Sequence, residues 1–348
     1  VFTKTNSIEH IPSEEPEAQR KLDKVITISK FNTDQAITEL EDLKDLPDYT
    51  DYKKNYILAR LYEKKGNTDN AISIYEKLLE KNYPLKERVI FHYATLNAIQ
   101  GNDTAAIKFF NKLLRDFPNS KSVSETKYFL AQAQLRLKLT KEAINTLLSL
   151  KSGSPKTQYG IATNYYLGEN ANNNGKNTEA IKLWRQYLEQ SPDGRFAGEI
   201  SNFVRTNKSI PLTPYDYSLL GDVFFHKKDY LNAAGFYKTS NNPKKYYELG
   251  YSLFRTNNKT EAGNFLKQFA FNFPKSKNAR WSLYYASQCI PSYLRKSFWA
   301  KANKDIPELA YYAIYKEAIL EENERTKEHI LRDLLVLYPN SEFALDAV

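Results

Sequence analysis

The sequence predicts an all-α chain of antiparallel helix hairpins, and three observations carry that prediction. Composition is the first. Gly (12) and Pro (14) are sparse in 348 residues, Leu, Ala, Lys and Glu are abundant, and 41% of the residues are hydrophobic. That mix favours helices over a sheet sandwich and suffices for a continuous core. Length is the second, because 348 residues exceed one typical compact domain and imply either several domains or an elongated array. The third is a spacing that recurs along the chain. A Leu or Tyr followed by Ala or Gly appears at Leu58-Ala59, Tyr93-Ala94, Leu130-Ala131, Leu167-Gly168, Leu220-Gly221 and Leu249-Gly250. Twelve residues after each small residue stands Ala71, Ala106, Ala143, Ala180, Ala233 or Ala262. Four further on comes Tyr75, Phe110, Leu147, Trp184, Tyr237 or Leu266.

The spacing has a physical meaning. Two antiparallel helices approach closely only where facing side chains are small. The Ala or Gly of the first helix and the Ala of the second supply that crossing. The large residue one turn later shares the same face and fills the space beside it. Pro118, Pro155, Pro192 and Pro274, with Pro84 one residue late, close the second helices. Glycines 66, 101 and 175 fit the turns inside hairpins. Asp69, Thr104, Thr140, Thr178, Asp229 and Thr260 are the expected N-caps. Glu142, Glu179 and Glu261 follow in the first turn, where the helix dipole favours negative charge.

These residues resemble the tetratricopeptide repeat, a helix–turn–helix unit of about 34 residues. The resemblance covers residues 49–274 well, and 22–48 fit as a degraded first unit through Ala36, Leu40 and Pro47. It implies a superhelical α-solenoid, interrupted near 195–215. There the interval between hairpin alanines lengthens from 37 to 53 residues, and 195–209 read as an unpaired helix ending near Ile210-Pro211. The next interval is only 29, which cuts a second helix short near Asn241-Asn242-Pro243. The expected organisation is a polar lead at 1–18, an array of about five hairpins at 19–194, a linker at 195–215, and further, degenerate hairpins at 216–348. Beyond Pro274, helices are expected at 280–290, 306–320 and 324–337. Tyr338-Pro339-Asn340-Ser341 mirrors Phe117-Pro118-Asn119-Ser120, so the chain is expected to stop as a new repeat begins.

Signatures of chemistry are lacking. His10, His92, His226 and His329 have no partner at a metal-ligand spacing, and Cys289 stands alone, so neither a zinc cluster nor an internal disulfide is expected. The sequence contains no Gly-rich phosphate loop and no nucleophile elbow. No cofactor is expected, and the chain reads as non-enzymatic. The net charge of +9 is modest for this length and disfavours nucleic acid as the main partner. No apolar run reaches the ~18 residues of a membrane span.

The resemblance to tetratricopeptide repeats implies that first helices line an inner groove. The implied groove residues are Tyr56, Arg60, Lys64, Phe91, Tyr128, Gln132, Arg136, Tyr165, Glu169, Tyr247, Tyr251 and Arg255. Five of the six positions three residues before the small residue are aromatic, which suggests a ladder able to grip a peptide or helix. The competing expectation is that these rings pack against neighbouring hairpins. The function implied is a protein-binding scaffold. The Phe/Tyr-Pro-Asn-Ser linkers resemble those of bacterial cell-envelope scaffolds in outer-membrane assembly, division and motility, which implies a periplasmic or envelope-associated setting, with the cytoplasm as alternative. A second reading is the non-catalytic superhelical part of a soluble lytic transglycosylase, in which peptidoglycan or another anionic polymer is the ligand.

Overall fold

In the computed structural model, which describes residues 16–81, 83–207 and 212–345, the predicted spacing takes form in the turn that joins each helix pair. The helices are α1 (Pro16–Ile28), α2 (Thr33–Asp42), α3 (Asp48–Lys64), α4 (Thr68–Leu79), α5 (Lys86–Ile99), α6 (Asp103–Asp116), α7 (Val123–Arg136), α8 (Thr140–Gly153), α9 (Gln158–Asn173) and α10 (Asn177–Gln190). There follow α11 (Ala197–Thr206), α12 (Pro214–His226), α13 (Tyr230–Ser240), α14 (Tyr246–Arg255), α15 (Lys259–Asn272), α16 (Ala279–Gln288), α17 (Arg295–Asp305), α18 (Ala310–Ile319) and α19 (Glu324–Leu337). No strand occurs among the described residues. The chain divides into two compact units, Val1–Leu167 and Gly168–Val348, with the division inside α9.

Six hairpins share one three-residue turn. After α3, α5, α7, α9, α12 and α14 the second turn residue is left-handed: Gly66, Gly101, Lys138, Gly175, Lys228 and Asn257. The residue after it donates its N–H back to the first helix: Asn67 to Tyr62, Asn102 to Asn97, Leu139 to Gln134, Lys176 to Ala171, Asp229 to Phe224 and Asn258 to Leu253, all at 2.8–3.0 Å. This is the Schellman closure. The donating residue is also the N-cap of the next helix. The expected caps are therefore corrected at five of six places. Asn67, Asn102, Leu139, Lys176 and Asn258 replace Asp69, Thr104, Thr140, Thr178 and Thr260, which fall inside the helices because the turn has no residue to spare. Asp229 is a true cap, accepting from the Asn232 N–H.

The packing follows the spacing. Ala59, Ala71, Ala94, Ala106, Ala131 and Ala143 are fully buried. Where glycine takes the first-helix position, the large residue of the second helix lies directly on it. A Cβ at Gly168 would stand 2.4 Å from Trp184, at Gly221 2.5 Å from Tyr237, and at Gly250 2.5 Å from Leu266. Second helices end in a repeated turn. Phe117 and Phe273 bond back to Leu113 and Phe269, and then accept from the Ser120 and Ser276 N–H groups at 3.1 and 3.0 Å. Each serine hydroxyl in turn accepts from a backbone N–H two residues on.

The degraded first unit is the hairpin α1–α2, with Ala36 and Leu40 fully buried. Residues 16–18, read as lead, already belong to α1, and Ala18 is buried. The rest of the lead, including His10, Pro12 and Ser13-Glu14-Glu15, lies outside the described residues, as does Ile210-Pro211. The helix expected at 195–209 is α11, which runs between α10 and α12 and buries Ala197, Ile200 and Val204. α12 opens with a capping box between Thr213 and Asp216. The Asp216 carboxylate, nearly buried, also takes the Arg185 guanidinium of α10, with Nη2 at 2.7 Å. α13 ends at left-handed Asn241, as the short interval required. One helix was not foreseen. α17 buries only Trp299 and Ala302 along a run that carries Arg295, three lysines and Asp305, so its apolar periodicity is too weak to read.

Candidate functional site

In unit 1 the aromatic ladder exists and closes on itself. The Tyr56 ring is half-buried and tilts against Tyr75 and His92, with centroids 6.3 and 6.2 Å apart. Phe91 meets His92 at 5.5 Å and Phe129 at 6.5 Å. Tyr128 is 8% exposed, packed on Phe129, Tyr159 and Tyr166, and Tyr165 is 6% exposed, edge-on to Tyr166. The packing expectation is thus the one realised at Tyr128 and Tyr165. Tyr128 touches rings of its own and the next hairpin, Tyr165 touches its helix neighbour, and both present almost no surface.

The basic residues between these rungs are engaged as well. Arg60 donates to Glu63 at 2.7 Å, and its Nη1 lies 2.8 Å from Nδ1 of His92. Burial works to raise the Glu63 pKa, but hydrogen bonds and charge from His92 and Arg60 outweigh it and hold the carboxyl below its ordinary range. Arg136 grips the buried Asp103 carboxylate at 2.9 Å and the Ala98 carbonyl at 3.3 Å. That hydrogen bond from Arg136 keeps its guanidinium more firmly protonated. Gln132 donates to the Tyr166 hydroxyl at 3.0 Å. Lys64 is exposed and reaches Thr33 Oγ1 at 3.3 Å. Glu169, which falls in unit 2, is half-buried.

In unit 2 the corresponding column of half-buried rings leads to an exposed one. Tyr247 and Tyr251 stack at 6.3 Å, interplanar 26°, and Tyr251 stands edge-on to Tyr285 of α16 at 5.0 Å. The Arg255 guanidinium lies 4.8 Å from the Tyr230 ring centroid and 5.8 Å from that of Tyr251, and donates to the Tyr251 hydroxyl at 3.0 Å. Trp281 continues the row, stacked on Tyr285 at 6.2 Å and 54% exposed. Burial pushes the Tyr247 phenol up to about 12, and burial likewise raises Tyr285. These phenols stay neutral near neutral pH, so the surface offers donors, ring faces and one fixed cation rather than an acid–base pair.

Tyr230, Trp281 and Tyr285 were not among the expected groove residues. A signal for two of them was present, because Trp281 and Tyr285 fall 34 residues after Tyr247 and Tyr251. It was hidden because Tyr284 occupies the position where the small residue of the crossing should stand. Among the described residues no cluster of His, Cys, Asp and Glu could hold a metal ion, and no helix is long and apolar enough to cross a membrane.

Two sequence models of the family described as tetratricopeptide repeat match the chain, one over residues 56–121 and one over 162–194. The chain carries tetratricopeptide repeats. The matched segments run from within α3 to just past α6 and from within α9 to just past α10. Among curated proteins none matches the sequence. Similar solved structures include MamA of AMB-1, with 19% identity over 51% of this chain and 99% of that one, at a TM-score of 0.41. Another is a tetratricopeptide repeat protein of Parabacteroides merdae, with 13% identity over 82% of this chain and 98% of that one, at 0.37. Likenesses this loose carry no conclusion about the chain. Tetratricopeptide repeats serve protein–protein interaction, and that is the role the fold supports at its coarsest.

Proposed function

We propose that the chain is a non-catalytic scaffold that holds a segment of a partner protein on the face formed by Tyr230, Arg255, Tyr251, Tyr285 and Trp281. The observation that carries this reading is Trp281, a large ring more than half exposed yet already stacked in place. Binding there loses little rotamer freedom, and Trp, Tyr and Arg are the residues that dominate interface energies. The setting we propose is a bacterial envelope-associated assembly. Its support is the resemblance of the Phe/Tyr-Pro-Asn-Ser turns to those of envelope scaffolds. A second reading draws on the same ring. An exposed Trp beside an arginine also suits a sugar face and an acidic substituent, as in peptidoglycan.

Fluorescence separates these readings. Trp184 and Trp299 are 4% and 2% exposed, so collisional quenching by iodide reports on Trp281. A partner captured by the wild type and lost by Trp281→Ala and by Arg255→Ala, with both variants melting as the wild type does, supports the scaffold. Protection of Trp281 by muropeptides, with no protein partner lost in either variant, replaces it with the glycan reading. Capture of every partner unchanged in both variants, without muropeptide protection, refutes the assignment of this face.

A further inference from the structure

Unit 1 holds a cavity of about 390 Å³ where the first turns of α3 meet the last turns of α4. Tyr52 lines it, and this ring is only 2% exposed. Its hydroxyl is buried without a hydrogen-bond partner in the protein. Such a group is uncommon, because a buried hydroxyl that has lost water ordinarily finds a substitute. The neighbouring polar groups do not serve it. Lys54 is taken by Asp51 at 2.8 Å and the Leu43 carbonyl at 3.2 Å, and Asn55 donates to Asp51 at 2.8 Å.

Two cations face no such closure. Lys77, in the last turn of α4, and Lys81, two residues past its end, also line the cavity, are exposed, and make no ion pair among the described residues. Asp48 is the carboxylate left on the rim, and it sits in the first turn of α3, where the helix dipole already compensates it. The remaining wall is apolar: Ile74, Leu78 and Tyr83, the last edge-on to Tyr52 at 4.9 Å. The cavity thus combines two unpaired ammonium groups with an apolar wall, and the Tyr52 hydroxyl beside it is closed to solvent. Its volume equals about thirteen water shares of ~30 Å³ each.

We propose that this cavity binds a small amphiphilic organic acid. The acidic head meets Lys77 and Lys81, and the apolar body lies along Ile74, Leu78 and Tyr83. A carboxylate and a phosphate monoester share the chemistry of the head. The test uses octanoate, octyl phosphate and octylamine as probes, followed by amide chemical shifts of Tyr52, Ile74, Leu78 and Tyr83 in the full chain. At least one acid is expected to shift these amides saturably below about 10 mM, and whichever acid binds more tightly identifies the head. Octylamine should bind at least about tenfold more weakly. Lys77→Gln with Lys81→Gln should weaken the acid by about tenfold or more. Tyr52→Phe alone should leave the ligand-free melting temperature unchanged or raise it, since it removes a hydroxyl that has no partner. The proposal is overturned if neither acid gives localised, saturable shifts, if octylamine binds as tightly, if the double lysine variant binds like the wild type, or if Tyr52→Phe melts lower without ligand.

Discussion

Replacing Gly221 and Gly235 with alanine tests the crossing geometry, because the same substitution should have opposite signs in the two helices of one hairpin. Both glycines are helical, in α12 and α13. Alanine in a helix gains about 0.5–1 kcal/mol over glycine in either place. At Gly235 an added Cβ meets nothing within 4 Å, so the full gain should appear. At Gly221 it would stand 2.5 Å from Cδ1 and Cε1 of Tyr237. That ring cannot swing away, for it is 1% exposed and its hydroxyl donates to Asp222 at 2.7 Å, itself held by Lys245 at 2.6 Å. Overpacking of this kind costs about 1–3 kcal/mol, which turns the net effect into a loss of up to about 2 kcal/mol. The two variants should therefore differ by about 1–3 kcal/mol, read as the gap between their thermal midpoints at about 2–4 °C for each kcal/mol. Equal stabilisation by both would refute the close crossing, as would a loss at Gly235.

Three further outcomes follow from described contacts. Lys228→Gly relieves a non-glycine residue at φ 61° and should stabilise by about 1 kcal/mol in denaturant melts, with Asn257→Gly gaining less because Asn tolerates this region. Arg136→Ala leaves the buried Asp103 carboxylate unpaired and should cost about 1–3 kcal/mol, part of which Asp103→Asn restores in a double-mutant cycle. Glu248 is raised above its ordinary pKa, first by burial and further by Asp222, against the opposing pull of Lys245 and Lys277, and one of its oxygens has no partner. A raised folded pKa means stability present below the ordinary carboxylate range and lost as pH rises through the folded value. Glu248→Gln should thus stabilise at neutral pH, with the difference vanishing in melts taken below about pH 4.

The hairpins were legible in the sequence because their packing depends on a few residue types at fixed separations. Ala59 with Ala71 and Gly221 with Tyr237 can be read as pairs without coordinates. The caps were less legible. Thr104 and Thr178 have the chemistry of an N-cap, but the Schellman closure assigns that place to Asn102 and Lys176, whose side chains give no cap bond. α17 was missed because helices on either side, rather than its own periodicity, fix it. The expected binding column was legible as positions and not as exposure. Tyr128 and Tyr247 occupy the same place in their repeats, yet Tyr128 is enclosed by Phe129, Tyr159 and Tyr166, whereas Tyr247 leads to a row that ends at exposed Trp281. Only the neighbours decide, and they come from other hairpins.

The three-residue turn has a consequence for how such a chain can change in length. One added residue inside it would rotate the second helix by about 100° and carry its alanine off the crossing. Joints between hairpins have no such constraint, and the variation of this chain is found there: α11 lies between α10 and α12, and a single 3₁₀ turn separates α13 from α14. Insertions and deletions are therefore filtered by place, rejected within a hairpin and tolerated between hairpins. A chain under that filter can acquire new surface at its joints while every existing helix pair keeps its inherited fit.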